Sequence, residues 1–191
     1  CRKGMANRLT TACSGPLMRG TFAEEIQMKR CELAAQAYRA SCIKGHFVLR
    51  SGRTSNDYFD NYLFEAGPCL LKGIAEGMAG MVPTNGEVLA GLEMVGIPVV
   101  TVFSQLTGLP VLFVRKKAKE HGTSKLAEGQ NVAGEHLVVV ENVVTSGGQI
   151  VESTKGLRAL GAVVEDVIGV TDRESGASDN LPKEGLSFRV L

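Results

Sequence analysis

Short apolar runs that alternate with helix-patterned segments limit most strongly the folds open to this chain. Residues 137–140 are Leu-Val-Val-Val, and residues 163–168 hold Val-Val and Val-Ile pairs around two acids. Strands of such continuous apolar character are buried on both faces, as in parallel sheets covered by helices. The pattern therefore predicts an α/β fold, a doubly wound parallel sheet flanked by helices, for which 191 residues suffice.

A separate small unit is predicted before this sheet. Thr21 and Glu24 have the capping-box spacing of a helix start, and the helix extends to about Ser41. Two strand-like pieces follow at residues 46–50 and 57–63. We expect an arm over residues 1–20, a hood of helix plus hairpin over 21–65, and a core over 66–191, the last two forming a single domain.

The core elements follow from periodicity and turn signals. We predict helices at residues 68–81, 98–107 and 149–160, and strands at residues 87–90, 110–114, 136–141 and 162–171.

Composition removes several classes of function. The net charge of +1 provides no global field for nucleic acid or an anionic membrane. The first twenty residues lack an apolar signal core, no apolar run reaches the length of a membrane span, and the five cysteines contain no CxxC pair typical of zinc sites. We expect a cytoplasmic protein with no metal site built from protein ligands. The start at Cys1 and the abrupt end at Leu191 are typical of a piece of a longer product.

The loop after residues 137–140 has a composition suited to a sugar phosphate. Residues 141–149 read Glu-Asn-Val-Val-Thr-Ser-Gly-Gly-Gln and precede a predicted helix. Hydroxyls, glycines and a helix N-terminus suit a phosphate, and a carboxylate beside an amide suits sugar hydroxyls. The spacing excludes the P-loop and the dinucleotide fingerprint. A plain strand-to-helix turn remains an equal alternative from these residues alone.

A second segment is strongly cationic. Residues 115–123 read Arg-Lys-Lys-Ala-Lys-Glu-His-Gly-Thr. Such a loop can close over an anionic leaving group and exclude water. The alternatives are a solvated surface loop or a nucleic-acid patch, and the absence of interleaved aromatic residues argues against nucleic acid.

Both segments resemble known motifs. Residues 137–149 are similar to the signature of type I phosphoribosyltransferases, and residues 115–122 resemble the Arg-Lys-x-x-Lys-x-His-Gly loop of orotate phosphoribosyltransferases. Residues 47–59, 91–98 and 171–176 resemble that family's hood, pyrophosphate loop and Asp-Arg motif, so the likeness runs in order from about His46 to Gly176.

The resemblance implies transfer of phosphoribose from 5-phosphoribosyl-1-pyrophosphate (PRPP) to orotate, giving orotidine 5-monophosphate. It implies Mg²⁺ held mainly by PRPP and water, and a homodimer that shares the cationic loop between subunits. The catalytic residues implied are Lys119, His121, Glu141 and Asn142. The PRPP contacts implied are Arg115, Lys116, Lys119, His121, Glu141, Asn142, Val143, Val144, Thr145, Ser146, Gly147, Gly148 and Gln149. The orotate contacts implied are Arg50, Tyr58, Phe59, Thr145 and Arg173.

The sequence departs from the family pattern at several positions. Asn142 stands where a second acid is usual, Arg50 where a lysine is frequent, and Met94-Val95 where some members have Tyr-Lys. Two rival hypotheses therefore stay open: a transferase for another base, and a PRPP-binding protein that is regulatory or catalytically impaired, with activity reduced by Asn142. On the catalytic hypothesis, an Asp at position 142 should raise turnover.

Overall fold

The computed structural model describes residues 30–48, 52–117 and 125–191. The predicted arm and the predicted helix start at Thr21 lie outside the described residues. The elements in chain order are α1 (Arg30–Ser41), β1 (Cys42–Val48), β2 (Thr54–Phe59), α2 (Asn61–Glu65), α3 (Pro68–Ala79), β3 (Val88–Leu92), α4 (Gly96–Thr107), β4 (Val111–Val114), β5 (Ala127–Glu128), β6 (His136–Val144), α5 (Gly148–Ala159), β7 (Val163–Asp172), α6 (Ala177–Lys183) and β8 (Ser187–Val190).

A six-stranded sheet forms the centre of the molecule, in the order β5-β4-β3-β6-β7-β8. Every neighbouring pair is parallel except β4 and β5, which are antiparallel. The apolar runs found in the sequence are β6 and β7, and β6 lies between β3 and β7. The predicted α/β class and parallel sheet are therefore confirmed.

Helices cover both faces of this sheet, and β6 contributes to both layers of the core. Leu137 and Val139 pack in the cluster that contains residues of α5 and α6, whereas Val138 and Val140 pack in the cluster that contains residues of α1, α3 and α4. This alternation follows from the two-residue side-chain period of a strand. It explains why β6 is apolar at successive positions.

The hood hairpin lies closer to the N-terminus than predicted, with β1 starting at Cys42 instead of His46 and β2 at Thr54 instead of Asp57. β1 and β2 pair antiparallel as a separate two-stranded sheet, but β2 ends at Phe59 and Leu63 lies in helix α2. The side chain of Asp60 accepts a hydrogen bond from the backbone N–H of Tyr62 at 3.1 Å and caps this helix. The predicted strand over 57–63 was wrong in its second half because an aspartate N-cap starts a helix there.

Strand β6 is longer than predicted. It continues three residues past Glu141, because its pairing with β7 continues through Val143 opposite Thr171 and Val144 opposite Asp172. The short elements α6, β5 and β8 were not predicted at all. The longer β6 places Asn142 in the sheet instead of in the loop.

None of the helices in the described ranges has the length and apolar character needed to cross a bilayer.

Substitution of Leu157 tests the core layer under α5. Leu157 is fully buried, whereas Leu160, just after the helix, is 48% exposed. We expect Leu157→Ala to lower the free energy of unfolding by about 2–5 kcal/mol, since the removed methyl groups leave a cavity. Leu160→Ala is the matched control and should cost less than about 1 kcal/mol. Urea denaturation measures both, and equal losses would contradict this packing.

Candidate active site

The carboxyl ends of four parallel strands meet at one edge of the sheet. Leu92 of β3 pairs with Val114 of β4, and Val144 of β6 pairs with Asp172 of β7. Ligands of open α/β sheets bind beyond this edge, where loops lead into helices. The described residues that follow β3, β4, β6 and β7, which begin the segments with family-like motifs, therefore lie on the same side of the molecule.

The predicted phosphate loop lies between β6 and α5. Thr145 and Ser146 are exposed in this loop, and Gly147 is the N-cap of α5 with φ of 79° and no side-chain cap. The first N–H groups of the helix therefore have no side-chain partner at the cap, and they point in the direction from which an anion would approach.

Gly147 is required by both conformation and space. Its φ lies in the left-handed region, which side chains with a Cβ rarely adopt. A Cβ at this position would also lie 2.9 Å from Cδ2 of Leu181, a buried residue of α6. The shape of the loop is thus coupled to the packing of α6.

Helix α6 supports the phosphate loop through polar contacts that were not predicted. Asn180 donates from Nδ2 to the backbone oxygen of Ser146 at 3.1 Å. Asp172 accepts hydrogen bonds from the backbone N–H of Glu174 at 2.9 Å and from Oγ of Ser178 at 3.2 Å. The polar residues are visible in the sequence, but only α6 brings Asn180 to the loop.

The remaining residues of the motif have different surroundings. Val144 is buried, Val143 is half-buried and Gly148 is exposed. Gln149 donates from Nε2 to Oγ of Ser153 at 3.3 Å, so its side chain extends along α5. Any contact from Gln149 to an anion beyond the helix end would therefore come from its backbone N–H.

Glu141 and Asn142 are both buried at the end of β6. Glu141 is 7% exposed, and its Oε1 accepts a hydrogen bond from the backbone N–H of Asn142 at 3.0 Å. The pKa of Glu141 is raised to about 7, chiefly by burial and also by the nearby Glu65, against the lowering effects of the backbone hydrogen bonds and Lys116. Asn142 is fully buried, and its amide is directed to another side chain.

That side chain is Glu65 at the end of α2, which no sequence motif had indicated. Nδ2 of Asn142 donates to Oε1 of Glu65 at 2.6 Å. Burial also raises the pKa of Glu65 to about 7, while the hydrogen bond from Asn142 lowers it and Asp60 raises it. The two residues are 77 positions apart, so no local pattern could have revealed the contact.

The base of the cationic loop adjoins the loop after β3. Lys116 donates its backbone N–H to Oε2 of Glu93 at 3.2 Å, and Arg115 donates its backbone N–H to the oxygen of Leu126 at 2.8 Å. Arg115 is half-buried and Lys116 is exposed. Lys119 and His121 lie outside the described residues.

The two hood aromatics of the predicted orotate site lie on opposite faces of β2. Phe59 packs toward Tyr38 with ring centroids 6.4 Å apart and lines a cavity that also contains Thr171 and Asp172. Tyr58 packs on Phe47 instead, with ring centroids 5.4 Å apart. Arg173 is exposed, and Arg50 lies outside the described residues. The structure therefore brings Phe59, and not Tyr58, to the cavity beside β7.

Comparisons with known proteins give a consistent set of relatives. The chain is 46% identical over 159 residues to an orotate phosphoribosyltransferase of a Nocardioides species, a match that covers 83% of this chain and 89% of the relative. It is 42% identical over 164 residues to an orotate phosphoribosyltransferase of Pyrococcus horikoshii, covering 84% and 88%. No protein-family model matches the sequence.

A solved structure supports the same relationship. The orotate phosphoribosyltransferase of Mycobacterium tuberculosis in complex with PRPP superposes with a TM-score of 0.73 at 28% identity, covering 84% of this chain and 93% of that chain. The described parallel sheet thus has the fold of that protein.

Alanine at position 147 tests the coupling between the phosphate loop and α6. We expect Gly147→Ala to lower the free energy of unfolding by roughly 1–3 kcal/mol, because it adds backbone strain and a contact with Leu181. Gly148→Ala is the matched control: its Cβ would meet only Oγ of Ser146 at 3.8 Å. Urea denaturation should show no loss for the control, and equal effects would contradict the described loop.

The pH dependence of stability tests the burial of Glu141. Its raised pKa means that its contribution to stability is complete below about pH 4.5 and is lost as the pH rises through about 7. We expect Glu141→Gln to remove roughly 1–3 kcal/mol of the decline in stability between pH 5 and 8. Glu165→Gln, at an exposed position of β7, makes the same charge change as a control. An unchanged decline in Glu141→Gln would contradict the raised pKa.

Proposed function

The chain belongs to the orotate phosphoribosyltransferase family, and on this premise we propose that it transfers phosphoribose from PRPP to N1 of orotate. The products are orotidine 5-monophosphate and pyrophosphate, as in pyrimidine biosynthesis. The observation that carries the proposal is the meeting of three features at one sheet edge: the uncapped start of α5, the buried carboxylate of Glu141 and the base of the cationic loop.

The chemistry needs positioning and charge complementarity more than a covalent nucleophile. Displacement at the anomeric carbon builds positive charge on the sugar ring and negative charge on the departing pyrophosphate. Glu141 supplies a carboxylate near the ring once it is ionised. Its raised pKa favours ionisation only near or above neutral pH, or when cationic groups such as Lys116 approach.

Each substrate group has a proposed set of partners. The 5-phosphate takes the loop of Thr145, Ser146, Gly147, Gly148 and Gln149, with Val143 and Val144 leading into it. Glu141 and Asn142 bind the ribose hydroxyls. The pyrophosphate is bound by Lys119, together with Arg115, Lys116 and His121. Arg50, Tyr58, Phe59, Thr145 and Arg173 serve orotate.

The contacts of Asn142 and Tyr58 in the structure limit the substrate contacts that these two side chains can make. Nδ2 of Asn142 donates to Glu65, whereas its Oδ1 is buried without a hydrogen-bond partner among the described residues, so Oδ1 is the side-chain atom left to accept from a ribose hydroxyl. Tyr58 packs on Phe47, on the face of β2 opposite Phe59. Phe59 is accordingly the stronger candidate for the surface under the orotate ring.

The proposal also covers the metal, the assembly and the location. Among the described residues, no group of three or more His, Cys, Asp or Glu side chains is placed to hold a metal ion. We assign Mg²⁺ to PRPP oxygens and water, the arrangement that this ion favours. The family relationship further supports a cytoplasmic homodimer in which the cationic loop reaches the active site of the neighbouring subunit. Each subunit would contain a hood over 21–65 and a core over 66–191.

A direct assay tests the reaction. The protein is mixed with Mg²⁺, PRPP and orotate, and the loss of orotate absorbance is followed, with adenine and uracil as alternative bases. We expect turnover of orotate alone, and a fall in kcat of about 10²-fold in Glu141→Gln, because a charge near the developing cation is lost. Glu165→Gln should retain the wild-type rate.

The other outcomes of this assay distinguish between the alternative functions. Thermal stabilisation by PRPP without turnover of any base would indicate a regulatory binding protein. Turnover of another base would overturn the assignment of orotate, and failure to bind PRPP would overturn the whole proposal.

A further inference from the structure

The carboxyl group that the family pattern places at position 142 is present in this chain on a different element. Helix α2 brings Glu65 to the end of β6, where Oε1 of Glu65 lies 2.6 Å from Nδ2 of Asn142. Glu65 is 7% exposed and Asn142 is fully buried. A carboxylate–amide contact this short and this protected from water is a strong hydrogen bond, and its loss would leave buried polar groups unpaired.

Helix α2 is fixed at both ends, which makes Glu65 a defined support and not a flexible side chain. Asp60 caps its start, and the backbone N–H of Asp60 donates to the oxygen of Ser41 at 2.9 Å. At its end, Phe64 is fully buried in the core layer shared with Val140. The position of the Glu65 carboxylate is therefore set by the core.

The contact between Glu65 and Asn142 is linked to Glu141 through the backbone of Asn142. The backbone N–H of Asn142 donates to Oε1 of Glu141, while its side-chain amide donates to Glu65. Asn142 thus connects two buried carboxylates. The charged groups that act on this set are Asp60, the N-cap of α2, and Lys116 after β4.

We propose that Glu65 is a positioning residue for the ribose end of the site: its carboxylate holds Asn142, and through Asn142 the end of β6 that carries Glu141. The inference rests on the proposed function. In this arrangement the asparagine is the required partner of Glu65, because only one member of the pair can be a carboxylate without a proton between them. An aspartate introduced alone at position 142 would set two carboxylates about as close as the present 2.6 Å contact.

The contact with Glu65 reverses an expectation from the sequence. The family pattern suggested that Asn142→Asp would raise turnover. With Glu65 in place, the substitution introduces like charges in a buried site, so it should impair the protein unless Glu65 is changed as well.

A four-member cycle tests the pairing without using activity. Wild type, Glu65→Gln, Asn142→Asp and the double variant Glu65→Gln/Asn142→Asp are melted at pH 5.5 and pH 8.5 without ligands. We expect Asn142→Asp to lose far more thermal stability at pH 8.5 than at pH 5.5, since its carboxylate pair needs a shared proton. The double variant should regain most of that loss, because the amide introduced at position 65 can donate to the carboxylate introduced at position 142, with the roles exchanged.

Kinetics test whether the pair positions Glu141. Glu65→Gln removes a charge that raises the pKa of Glu141, so the acid limb of kcat/KM for PRPP should move to lower pH. Near pH 8, Asn142→Asp should raise KM for PRPP or lower kcat by about tenfold or more, and the double variant should recover most of this loss. Glu165→Gln should leave both the limb and the rates where they are.

The outcomes separate the inference from the proposed function. Additive effects in the thermal cycle, or an Asn142→Asp enzyme faster than wild type with Glu65 intact, overturn the inference. An unmoved acid limb in Glu65→Gln overturns the positioning role, even if Asn142→Asp fails to fold. A coupled thermal cycle in a wild type that does not turn over orotate supports the pairing and overturns only the proposed function.

Discussion

The placement of polar groups at the end of a strand buried on both sides is the constraint on which the site depends. β6 is apolar through Val140 and then continues in the sheet through Glu141 and Asn142, both of which are buried. Polar groups in such surroundings are costly unless they are paired. The backbone N–H of Asn142 pairs with Glu141 and its Nδ2 pairs with Glu65, while its Oδ1 has no partner within the described ranges, so this strand end depends on α2 and leaves one buried acceptor open.

Much of the fold could be predicted because its signals are local. The apolar runs of β6 and β7 indicated the parallel sheet, and Pro68 marked the start of α3 where it was expected. The loop of Thr145 to Gly148 was recognisable because hydroxyls and glycines before a helix form a contiguous pattern. The local prediction failed for the short helix α2, the first part of which was predicted as a strand. Tyr62 and Leu63 suit either state, and only the N-cap Asp60 favours the helix.

The site was less predictable, because its supporting contacts join residues far apart in the chain. No sequence motif includes Glu65, and only α2 places it against Asn142. No sequence motif includes Asn180, and only α6 places it against Ser146. The backbone bond of Lys116 to Glu93 likewise joins the ends of two strands. Residue types indicate what a motif binds, whereas the groups that hold the motif in shape depend on the completed fold.

The contact between Gly147 and Leu181 has a consequence for how such a site changes over evolution. The loop that faces the ligand and a core side chain share one small volume, so neither can vary alone. Among homologous chains, a residue as large as leucine at position 181 should therefore occur only beside glycine at position 147. Because the positive φ excludes most other residues at 147 in any case, diversification of this loop is expected to proceed through its hydroxyl residues and to leave its bend intact.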